Sequence, residues 1–269
     1  MIRFTLIVCV YEKEQAIFFS QCIGSILAQT ILPDEMIIIK DGPLSVELER
    51  VLNGLQFPNE LKIIGLPTAV TQGPARAEGI KAAAHNWIAI MDSDDICVHD
   101  RFEKQLRMIE DDPHLSLIGG QINEFSESPE NTIAKRAVPT GHNEILAYAK
   151  GRNPFNQMTV MFKRDLALTA GNYRYFPWFE DYDLWARMIK NGAICGNHPD
   201  VLVNARVGSG MYARRRGISY IRSEWKMQKQ LRELGLIGHI RFIQNAALRI
   251  PVRLLPEKGI EAVYNRFAR

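Results

Sequence analysis

The alternation of short apolar, β-branched runs with helical patterns constrains the fold of this chain more than any other feature. The apolar runs predict strands at 3–11, 35–40, 61–65 and 87–91, and the helical patterns predict helices at 15–29, 46–55, 73–84 and 101–110. Strands that alternate with helices favour right-handed crossovers and a mostly parallel sheet covered by helices. The sequence therefore predicts a Rossmann-like α/β fold.

The second half of the chain is less regular, and the helix at 180–191 is its clearest element. Leu184, Trp185 and Met188 recur there at helical spacing and predict an inward face. Further strands are predicted at 115–125 and 157–163, a short helix at 143–150, and apolar-basic helical segments at 237–255 and 259–267. The α/β pattern is thus expected to end in a helical extension.

A run of carboxylates stands where the strand at 87–91 ends. Its sequence is Asp92-Ser93-Asp94-Asp95, and crowded carboxylates repel one another unless a cation compensates them. Mg²⁺ or Mn²⁺ does so with oxygen ligands, and such ions complete their shell with water and substrate phosphate. The pattern predicts a metal and nucleoside diphosphate site; helix capping is the alternative, since the acids also precede the helix at 101–110.

Polar residues also follow the other predicted strands. Tyr11 and Glu12 end the first strand and Asp41 ends the second. Ligands of such sheets bind at the carboxyl ends of the strands. A nucleotide is therefore expected to lie across Tyr11, Asp41 and the acids from Asp92, although for each residue taken alone the polar start of a loop is the favoured interpretation.

Charge is distributed unevenly along the chain. Residues 1–202 hold 19 Lys and Arg against 26 Asp and Glu, a net charge of −7, whereas residues 203–269 hold 14 against 4, a net charge of +10. Such a basic tail suits nucleic acid, an anionic lipid surface or an anionic substrate. The tail has no basic-aromatic repeat or recognition motif, so we do not expect nucleic acid as a partner.

The cysteines indicate the compartment. Cys9, Cys22, Cys97 and Cys195 show no paired metal-ligand spacing, and two of them lie in apolar runs where a reduced, buried thiol is expected. We therefore expect a reducing, cytoplasmic compartment. No run approaches the roughly 18 to 20 apolar residues of a membrane span.

Five separated motifs follow one another along the chain. They are Val10-Tyr11-Glu12, Asp41-Gly42, the run from Gln72 to Gly79, Asp92-Ser93-Asp94-Asp95, and Glu180-Asp181-Tyr182-Asp183-Leu184-Trp185. In order and spacing they resemble the motifs of family 2 inverting glycosyltransferases with a GT-A fold, over about residues 3–206. Residues 152–162 further resemble bacterial members that build capsule, exopolysaccharide or lipopolysaccharide O-chains.

The resemblance implies a division of the chain. A GT-A catalytic domain would span 1–206, with a nucleotide-binding half at 1–125 and an acceptor-binding half at 126–206. A basic helical extension would follow at 207–269. The expected fold is thus a mixed, mostly parallel sheet flanked by helices, with a C-terminal helical addition.

The resemblance also implies a donor site for a nucleoside diphosphate sugar, which we expect to be a UDP-sugar. Tyr11 would stack on the base, Asp41 would accept a base N–H, and the fixed charge of Arg76 would offset phosphate. Asp92 would contact ribose or metal, and Asp94 would coordinate Mg²⁺ or Mn²⁺. Val10, Glu12 and Ser93 would line the same site.

Asp181 is the catalytic base that the resemblance implies, because inversion requires a base on the sugar face opposite the leaving group. Glu180 is the alternative base, and a third interpretation is that both acids only complement the helix dipole. Many members carry a histidine near position 206 as a further metal ligand, whereas this sequence has Arg206.

The loop before the helix at 180–191 is rich in aromatic residues. Such rings either cover the edge of a core or offer a stacking face to a pyranose. We predict that Asn156, Trp178 and Phe179 contact a saccharide acceptor, which the resemblance implies to be lipid-linked or a growing cell-surface chain.

The basic tail permits two interpretations at each of two places. Arg214 and Arg215 form either a flap that closes over the diphosphate or a solvated turn. The segments at 237–255 and 259–267 fit helices in an anionic membrane interface, or a helical pair packed on the domain. We predict peripheral attachment to the inner face of the cell membrane.

Three functions fit these features, and a metal-dependent glycosyltransferase that moves a hexose is the leading prediction. A nucleotidyltransferase uses similar parts, but it should carry a glycine-rich phosphate loop near the amino terminus, and residues 8–15 contain no glycine. A non-catalytic saccharide- or lipid-binding module on the same fold is the third possibility, against which the intact Asp94 and Asp181 argue.

Overall fold

A computed structural model describes residues 2–208 and 217–254. The strands are β1 (Phe4–Tyr11), β2 (Glu35–Asp41), β3 (Glu60–Gly65), β4 (Trp87–Asp92), β5 (Ile96–Cys97), β6 (Leu117–Phe125), β7 (Thr132–Arg136), β8 (Met161–Lys163) and β9 (Cys195–Arg206). The helices are α1 (Ala16–Leu27), α2 (Val46–Asn53), α3 (Gln72–Ala82), α4 (Arg101–Asp111), α5 (His142–Tyr148), α6 (Arg164–Thr169), α7 (Glu180–Lys190), α8 (Ile218–Glu233) and α9 (His239–Arg249).

The strands form one sheet in the order β3-β2-β1-β4-β8-β6-β9-β5, and β7 pairs with β6. Strands β1 to β4 are mutually parallel, and β6 and β9 share their direction, whereas β5, β7 and β8 run antiparallel. The mostly parallel, mixed sheet predicted from the sequence is confirmed. Six strands therefore bring their carboxyl ends to one edge of the sheet.

Successive residues of the central strands point to opposite faces, and each face is covered by helices. Leu6 and Val8 of β1 pack with residues of α1, α2 and α4, while Ile7 packs on the other face with α3 and α7. Strands buried on both faces read as continuous apolar runs, which explains why β1, β2 and β4 are visible in the sequence.

Several predicted elements differ in detail. Residues 157–163 form a 3₁₀ turn at Gln157–Thr159 and the three-residue β8, not one strand. In α1, Ile17 is exposed, because it lies on the helix face opposite the buried Cys22, Ile23 and Ile26. The twelve-residue β9 escaped the pattern because Asn197-His198-Pro199-Asp200 interrupts its apolar residues, at a place where the register with β6 shifts.

The C-terminal helices α8 and α9 pack on the sheet domain, with a small apolar cluster at the contact. Tyr220, Met227 and Leu231 of α8 and Phe242 of α9 pack with Phe176, Phe179 and Tyr182. The helix predicted at 237–255 ends at Arg249, and a 3₁₀ turn follows at Pro251–Leu254, since proline cannot continue a helix. The segment predicted at 259–267 lies outside the described residues.

No helix in the described part of the chain is long and apolar enough to cross a membrane. The predicted domain boundaries at 125/126 and 206/207 remain predictions. Strands from both halves of 1–206 belong to a single sheet.

Candidate active site

The predicted nucleotide residues lie side by side at the carboxyl edge of the sheet. Tyr11 pairs in register with Asp41 on β2, and Asp92 ends the neighbouring β4 opposite Cys9. Tyr11 is 40% exposed, whereas Asp41 is buried and its Oδ1 accepts from the backbone N–H of Val70 at 2.6 Å. The edge therefore offers an exposed ring next to a carboxylate that is already held by the following loop.

Arg76 of α3 connects two motifs that are distant in sequence. Its Nη2 lies 2.6 Å from Asp92 Oδ1, and its Nη1 lies 4.0 Å from Glu180 Oε1. Burial of the side chain disfavours its charge and is the largest single influence, but Asp92, together with smaller contributions from Tyr173, Cys9 and Glu180, raises the pKa of Arg76. Arg76 therefore carries its charge between the acids of β4 and those of α7.

The turn after β4 is held by Arg206 at the end of β9. Asp95 Oδ1 accepts from the backbone N–H of Arg206 at 2.7 Å, and Arg206 Nε donates to the Asp94 carbonyl at 3.1 Å. The guanidinium carbon lies 3.9 Å from the ring centre of Phe18 and 4.6 Å from that of Phe125. At the position where the resemblance suggests a metal-binding histidine, this chain thus places a cation that fixes the acidic turn.

Asp94 is a poorly compensated acid of this turn. Burial, followed by the negative charges of Asp92 and Glu14, raises the pKa of Asp94 to about 7. Within residues 2–208 and 217–254, no lysine or arginine forms an ion pair with its carboxylate. A divalent cation relieves such an excess of negative charge, so the donor set at Asp94 and Asp92 fits Mg²⁺ or Mn²⁺.

The described chain supplies only part of a metal shell. Among residues 2–208 and 217–254, no three His, Cys, Asp or Glu side chains are placed together to hold an ion. Mg²⁺ is typically bound by one or two carboxylates and completes its shell with water and phosphates. The geometry is consistent with that arrangement and leaves His198 out of it, since its Nδ1 accepts from the backbone N–H of Asp200.

The remaining predicted donor residues differ in what they offer. The hydroxyl of Ser93 is buried and donates to Glu14 Oε2 at 2.8 Å. Val10 is fully buried in the core, so a contact with a ligand would have to come from its backbone rather than its side chain. Glu12 is exposed in the loop after β1. Arg214 and Arg215, the predicted flap, lie outside the described residues.

Glu180 and Asp181 begin α7, as predicted, and face the same edge. Burial and the neighbouring Asp181 raise the pKa of Glu180 to about 7, against the opposing effect of Arg76. Burial also raises the pKa of Asp181, while the Tyr182 backbone N–H, Arg76 and Asn153 favour its charged form. Asn153 Nδ2 donates to Asp181 Oδ2 at 2.6 Å. Two acids with raised pKa values thus stand beside one fixed cation, an arrangement typical of acid–base chemistry.

The third acid of this motif has a different environment. Asp183 is fully buried and pairs with Arg174 at 2.6 Å and Arg187 at 2.8 Å. It is therefore committed to structure, which separates it from Glu180 and Asp181.

The prediction that Asn156 and Phe179 contact an acceptor needs correction, because neither side chain is accessible. Asn156 is fully buried and donates to the Gly120 carbonyl at 2.8 Å. Phe179 is 6% exposed and packs on Tyr220, with ring centres 5.4 Å apart. Trp178 is 44% exposed and remains the member of this set that can offer a stacking face.

Three residues at this edge escaped the sequence analysis as individual site residues. Asn153 lies in the segment that carried the narrower resemblance, but nothing in its neighbours marks it as a partner of Asp181. Glu14 reaches Ser93 only through the fold. Gly73 brings α3 against α7: a Cβ added there would lie 2.8 Å from the Arg174 carbonyl and 3.0 Å from Glu180 Cβ.

Comparison with known sequences finds one matching family model and several similar proteins. The model of the family described as glycosyl transferase family 2 matches residues 5–169. A Haemophilus influenzae protein named an uncharacterized glycosyltransferase is 38% identical, covering 99% of both chains. The amylovoran biosynthesis glycosyltransferase AmsE of Erwinia amylovora is 35% identical, covering 98% of both chains. An Escherichia coli UDP-Gal:alpha-D-GlcNAc-diphosphoundecaprenol beta-1,3-galactosyltransferase is 33% identical, covering 99% of this chain and 97% of its own.

Solved structures share the fold at low sequence identity. S. aureus TarS in complex with UDP-GlcNAc has a TM-score of 0.69 at 15% identity, covering 94% of this chain and 72% of that chain. The mannosyltransferase PcManGT from Pyrobaculum calidifontis, in complex with GDP-Man and Mn²⁺, has a TM-score of 0.67 at 16% identity, covering 99% and 80%. These similarities confirm the predicted GT-A fold.

Proposed function

Because this chain belongs to glycosyl transferase family 2, we propose that it transfers a sugar, with inversion, from a UDP-sugar to a lipid-linked or growing cell-surface saccharide. The observation that carries the proposal is the chain of contacts Asp92–Arg76–Glu180 with Asp181 alongside, at the carboxyl edge of the sheet. It joins a set of groups suited to a nucleoside diphosphate to a pair of acids suited to proton removal. The groups that would bind the donor and the acids that would deprotonate the acceptor thus belong to one site.

The donor half would bind the nucleotide across β2, β1 and β4. Tyr11 offers its exposed ring to the base, and Asp41 offers a carboxylate. Asp92 would accept from ribose hydroxyls or share the cation with Asp94, and Arg76 keeps a permanent positive charge near the diphosphate. Glu12, Ser93 and the Val10 backbone would complete the lining.

Asp94 and Asp92 would hold Mg²⁺ or Mn²⁺. The ion would supply Lewis-acid stabilisation of the departing nucleoside diphosphate. Asp94 is free of ion pairs within the described residues, so it is available as the principal ligand. Arg206 keeps the turn in place through its contacts with Asp94 and Asp95, independently of any ion.

Asp181 would take the proton from the acceptor hydroxyl as that oxygen attacks the anomeric carbon. Burial raises the pKa of this carboxyl, which makes it a better proton acceptor than a solvated aspartate. Glu180 sits next to the Arg76 guanidinium and is the alternative base.

The proposed acceptor rests on the names of the relatives. The Escherichia coli relative is named for a saccharide on diphosphoundecaprenol, and the Erwinia relative for amylovoran biosynthesis. Each is similar over nearly its full length. We infer a lipid-linked acceptor for this chain as well, with Trp178 as the exposed ring nearest to the base motif in sequence.

A direct test is a screen of UDP-, GDP- and dTDP-sugars for donor hydrolysis and for transfer to a polyprenyl diphosphate saccharide, with Mn²⁺ or with EDTA. Metal-dependent release of UDP together with an elongated lipid saccharide supports the proposal. Release of pyrophosphate from a nucleoside triphosphate would instead indicate a nucleotidyltransferase. Binding without turnover of any donor would indicate a non-catalytic module.

Gly73 provides a test of the contact between α3 and α7. In Gly73→Ala, the new Cβ pushes against backbone and displaces Arg76 relative to Glu180, so transfer should fall roughly tenfold to a hundredfold. The matched control is Gly24→Ala in α1, where nothing lies within 4 Å of the added Cβ. Initial rates and melting temperatures of both variants should be compared, and a Gly73→Ala enzyme with the wild-type rate would contradict the role of this contact.

We propose that the outer face of α9 attaches the protein to the cytoplasmic face of the cell membrane. Ile240, Ile243 and Leu248 are 75%, 52% and 73% exposed, and Arg241 is exposed on the same helix. Apolar residues beside cations suit an interface of anionic lipid. The opposite face of α9 packs through Phe242, so truncation of the helix would uncover core and is a poor test of attachment.

Replacing both Ile240 and Ile243 with serine should reduce sedimentation with phosphatidylglycerol vesicles, because the apolar anchor is lost while the fold keeps its buried contacts. Ile133→Ser, at another exposed isoleucine on β7, is the matched control. Raised salt should weaken binding of the parent protein. If the double variant sediments as well as the control, α9 is not the anchor.

A further inference from the structure

A side-chain amide holds the Asp181 carboxylate from the loop that follows α5. Asn153 Nδ2 donates to Asp181 Oδ2 at 2.6 Å, and Asn153 Oδ1 accepts from the Phe155 backbone N–H at 3.2 Å. Because the amide oxygen is engaged by backbone, the NH₂ group is the end that must face Asp181. The other carboxylate oxygen accepts from the Tyr182 N–H at 2.7 Å. Each oxygen keeps a further lone pair with which to accept a proton.

The loop that carries Asn153 is held by its carbonyls. Those of Ala149, Lys150 and Gly151 accept, in turn, from the Tyr182 hydroxyl at 2.6 Å, Asn245 Nδ2 at 2.8 Å and Arg249 Nη1 at 2.5 Å. The first donor is the neighbour of Asp181 on α7, and the other two belong to α9. Helix α9 of the C-terminal extension thus donates hydrogen bonds to the backbone two and three residues before Asn153.

The donors on α9 are in turn ordered by a buried charge on α8. Glu224 is fully buried and pairs with Arg249 at 2.6 Å and with Arg253 at 3.4 Å. Asn245 Nδ2 also donates to Gln228 Oε1 at 2.8 Å, and Gln228 donates to Glu224 at 3.1 Å. Burying these charges is costly, and in other proteins well-packed apolar residues of similar volume have often stabilised the fold as well or better. What the polar cluster adds is a defined position for its donors.

We propose that Asn153 is a positioning residue for the Asp181 carboxylate, and that α8 and α9 set its place by holding the loop at Ala149–Gly151 through Asn245 and Arg249. The inference rests on the proposed role of Asp181 as base. It makes the C-terminal extension a working part of the active site in addition to its proposed attachment to the membrane.

Asn153→Asp and Asn153→Ala test the first step, with kcat and donor KM measured against pH. Asn153→Asp keeps an oxygen for the Phe155 N–H but replaces the donor by a second carboxylate, whereas Asn153→Ala removes both bonds. We expect kcat to fall roughly tenfold or more in both, with donor KM unchanged. The lost donor favoured charged Asp181, so the acid limb of the profile should move to higher pH, and further for Asn153→Asp.

The other groups that act on Asp181 stay in place in these variants. They are Glu180 on α7, Arg76 on α3, Arg136 on β7 and Tyr173 before α7. A merely structural role for Asn153 would lower kcat or stability without moving the acid limb. An unmoved acid limb in both variants therefore overturns the positioning role.

Asn245→Ala tests whether α9 holds the loop, since it removes the bonds to the Lys150 carbonyl and to Gln228 Oε1 and leaves the pairs of Glu224 with Arg249 and Arg253 intact. We expect a several-fold lower kcat and a smaller shift of the acid limb in the same direction. Gln244→Ala, at the exposed neighbouring position, is the matched control and should behave as the parent. A parental kcat in a folded Asn245→Ala protein contradicts the proposed hold on the loop through Asn245, since only the bond from Arg249 to the Gly151 carbonyl would then remain.

Failure of this inference is distinguishable from failure of the proposed function. If Asp181→Asn is inactive while Asn153→Asp keeps the parental profile, only the positioning role falls. If Asp181→Asn transfers normally, the base is elsewhere, and the inference falls with it.

Discussion

Asp181→Asn should lower the rate of sugar transfer by about 10² or more while donor affinity stays the same. Asparagine keeps the size of the side chain and one oxygen, which can accept either from Asn153 or from the Tyr182 N–H, since these donors contact different oxygens of Asp181. It cannot take a proton from the acceptor hydroxyl at neutral pH, so only the chemical step loses its base. Single-turnover rates with saturating donor, together with calorimetric titration of UDP, separate the two effects.

Glu180→Gln is the matched comparison for this result, because it neutralises the adjacent acid on the same turn of α7. Glu180 lies 4.0 Å from Arg76, so its loss should affect the charge balance around Arg76 more than proton removal. If Asp181→Asn transfers normally and Glu180→Gln does not, the two roles are exchanged. If both variants are active, neither acid is the base.

Asp94→Ala should abolish metal-dependent donor binding. The carboxylate has no ion-pair partner in the described part of the chain, and burial with Asp92 and Glu14 raises its pKa to about 7. A bound divalent cation would reverse that unfavourable environment, and without Asp94 the charge of the diphosphate is poorly compensated. Titration of UDP into the variant, with and without Mn²⁺, measures the effect.

The control for this experiment is Asp111→Ala, which removes an exposed acid at the end of α4. It changes the net charge by the same amount and should leave the Mn²⁺-dependent gain in UDP affinity intact. If Asp94→Ala keeps that gain in full, the metal assignment is wrong.

The central architecture of this protein follows from local patterns in its sequence. Strands β1, β2 and β4 are buried on both faces, so their apolar runs are visible without any knowledge of neighbours. Parallel strands end at one edge, and this rule alone brought Tyr11, Asp41 and Asp92 together. The amphipathic pattern of α7 is likewise local, and it was enough to predict that Glu180 and Asp181 begin a helix.

Which of these groups are in contact depends on how the helices pack against one another. The pairing of Arg76 with Asp92 and its approach to Glu180 depend on how α3 and α7 pack at Gly73. The spacing of apolar residues along the sequence does not predict how two helices pack against each other. The same holds for Asn156 and Phe179, whose residue types suited an acceptor site but whose burial was decided by β6 and α8.

The role of the C-terminal extension also depended on the fold. Composition marked it as basic and apolar, which suits a membrane interface and a packed helix pair alike. In the structure α9 directs Asn245 inward toward the Lys150 carbonyl and leaves Ile240 and Ile243 exposed, the two residues through which we propose attachment to the membrane. Local pattern determines which residues share a helix face, whereas contacts between residues about 95 positions apart follow only from packing of the whole chain.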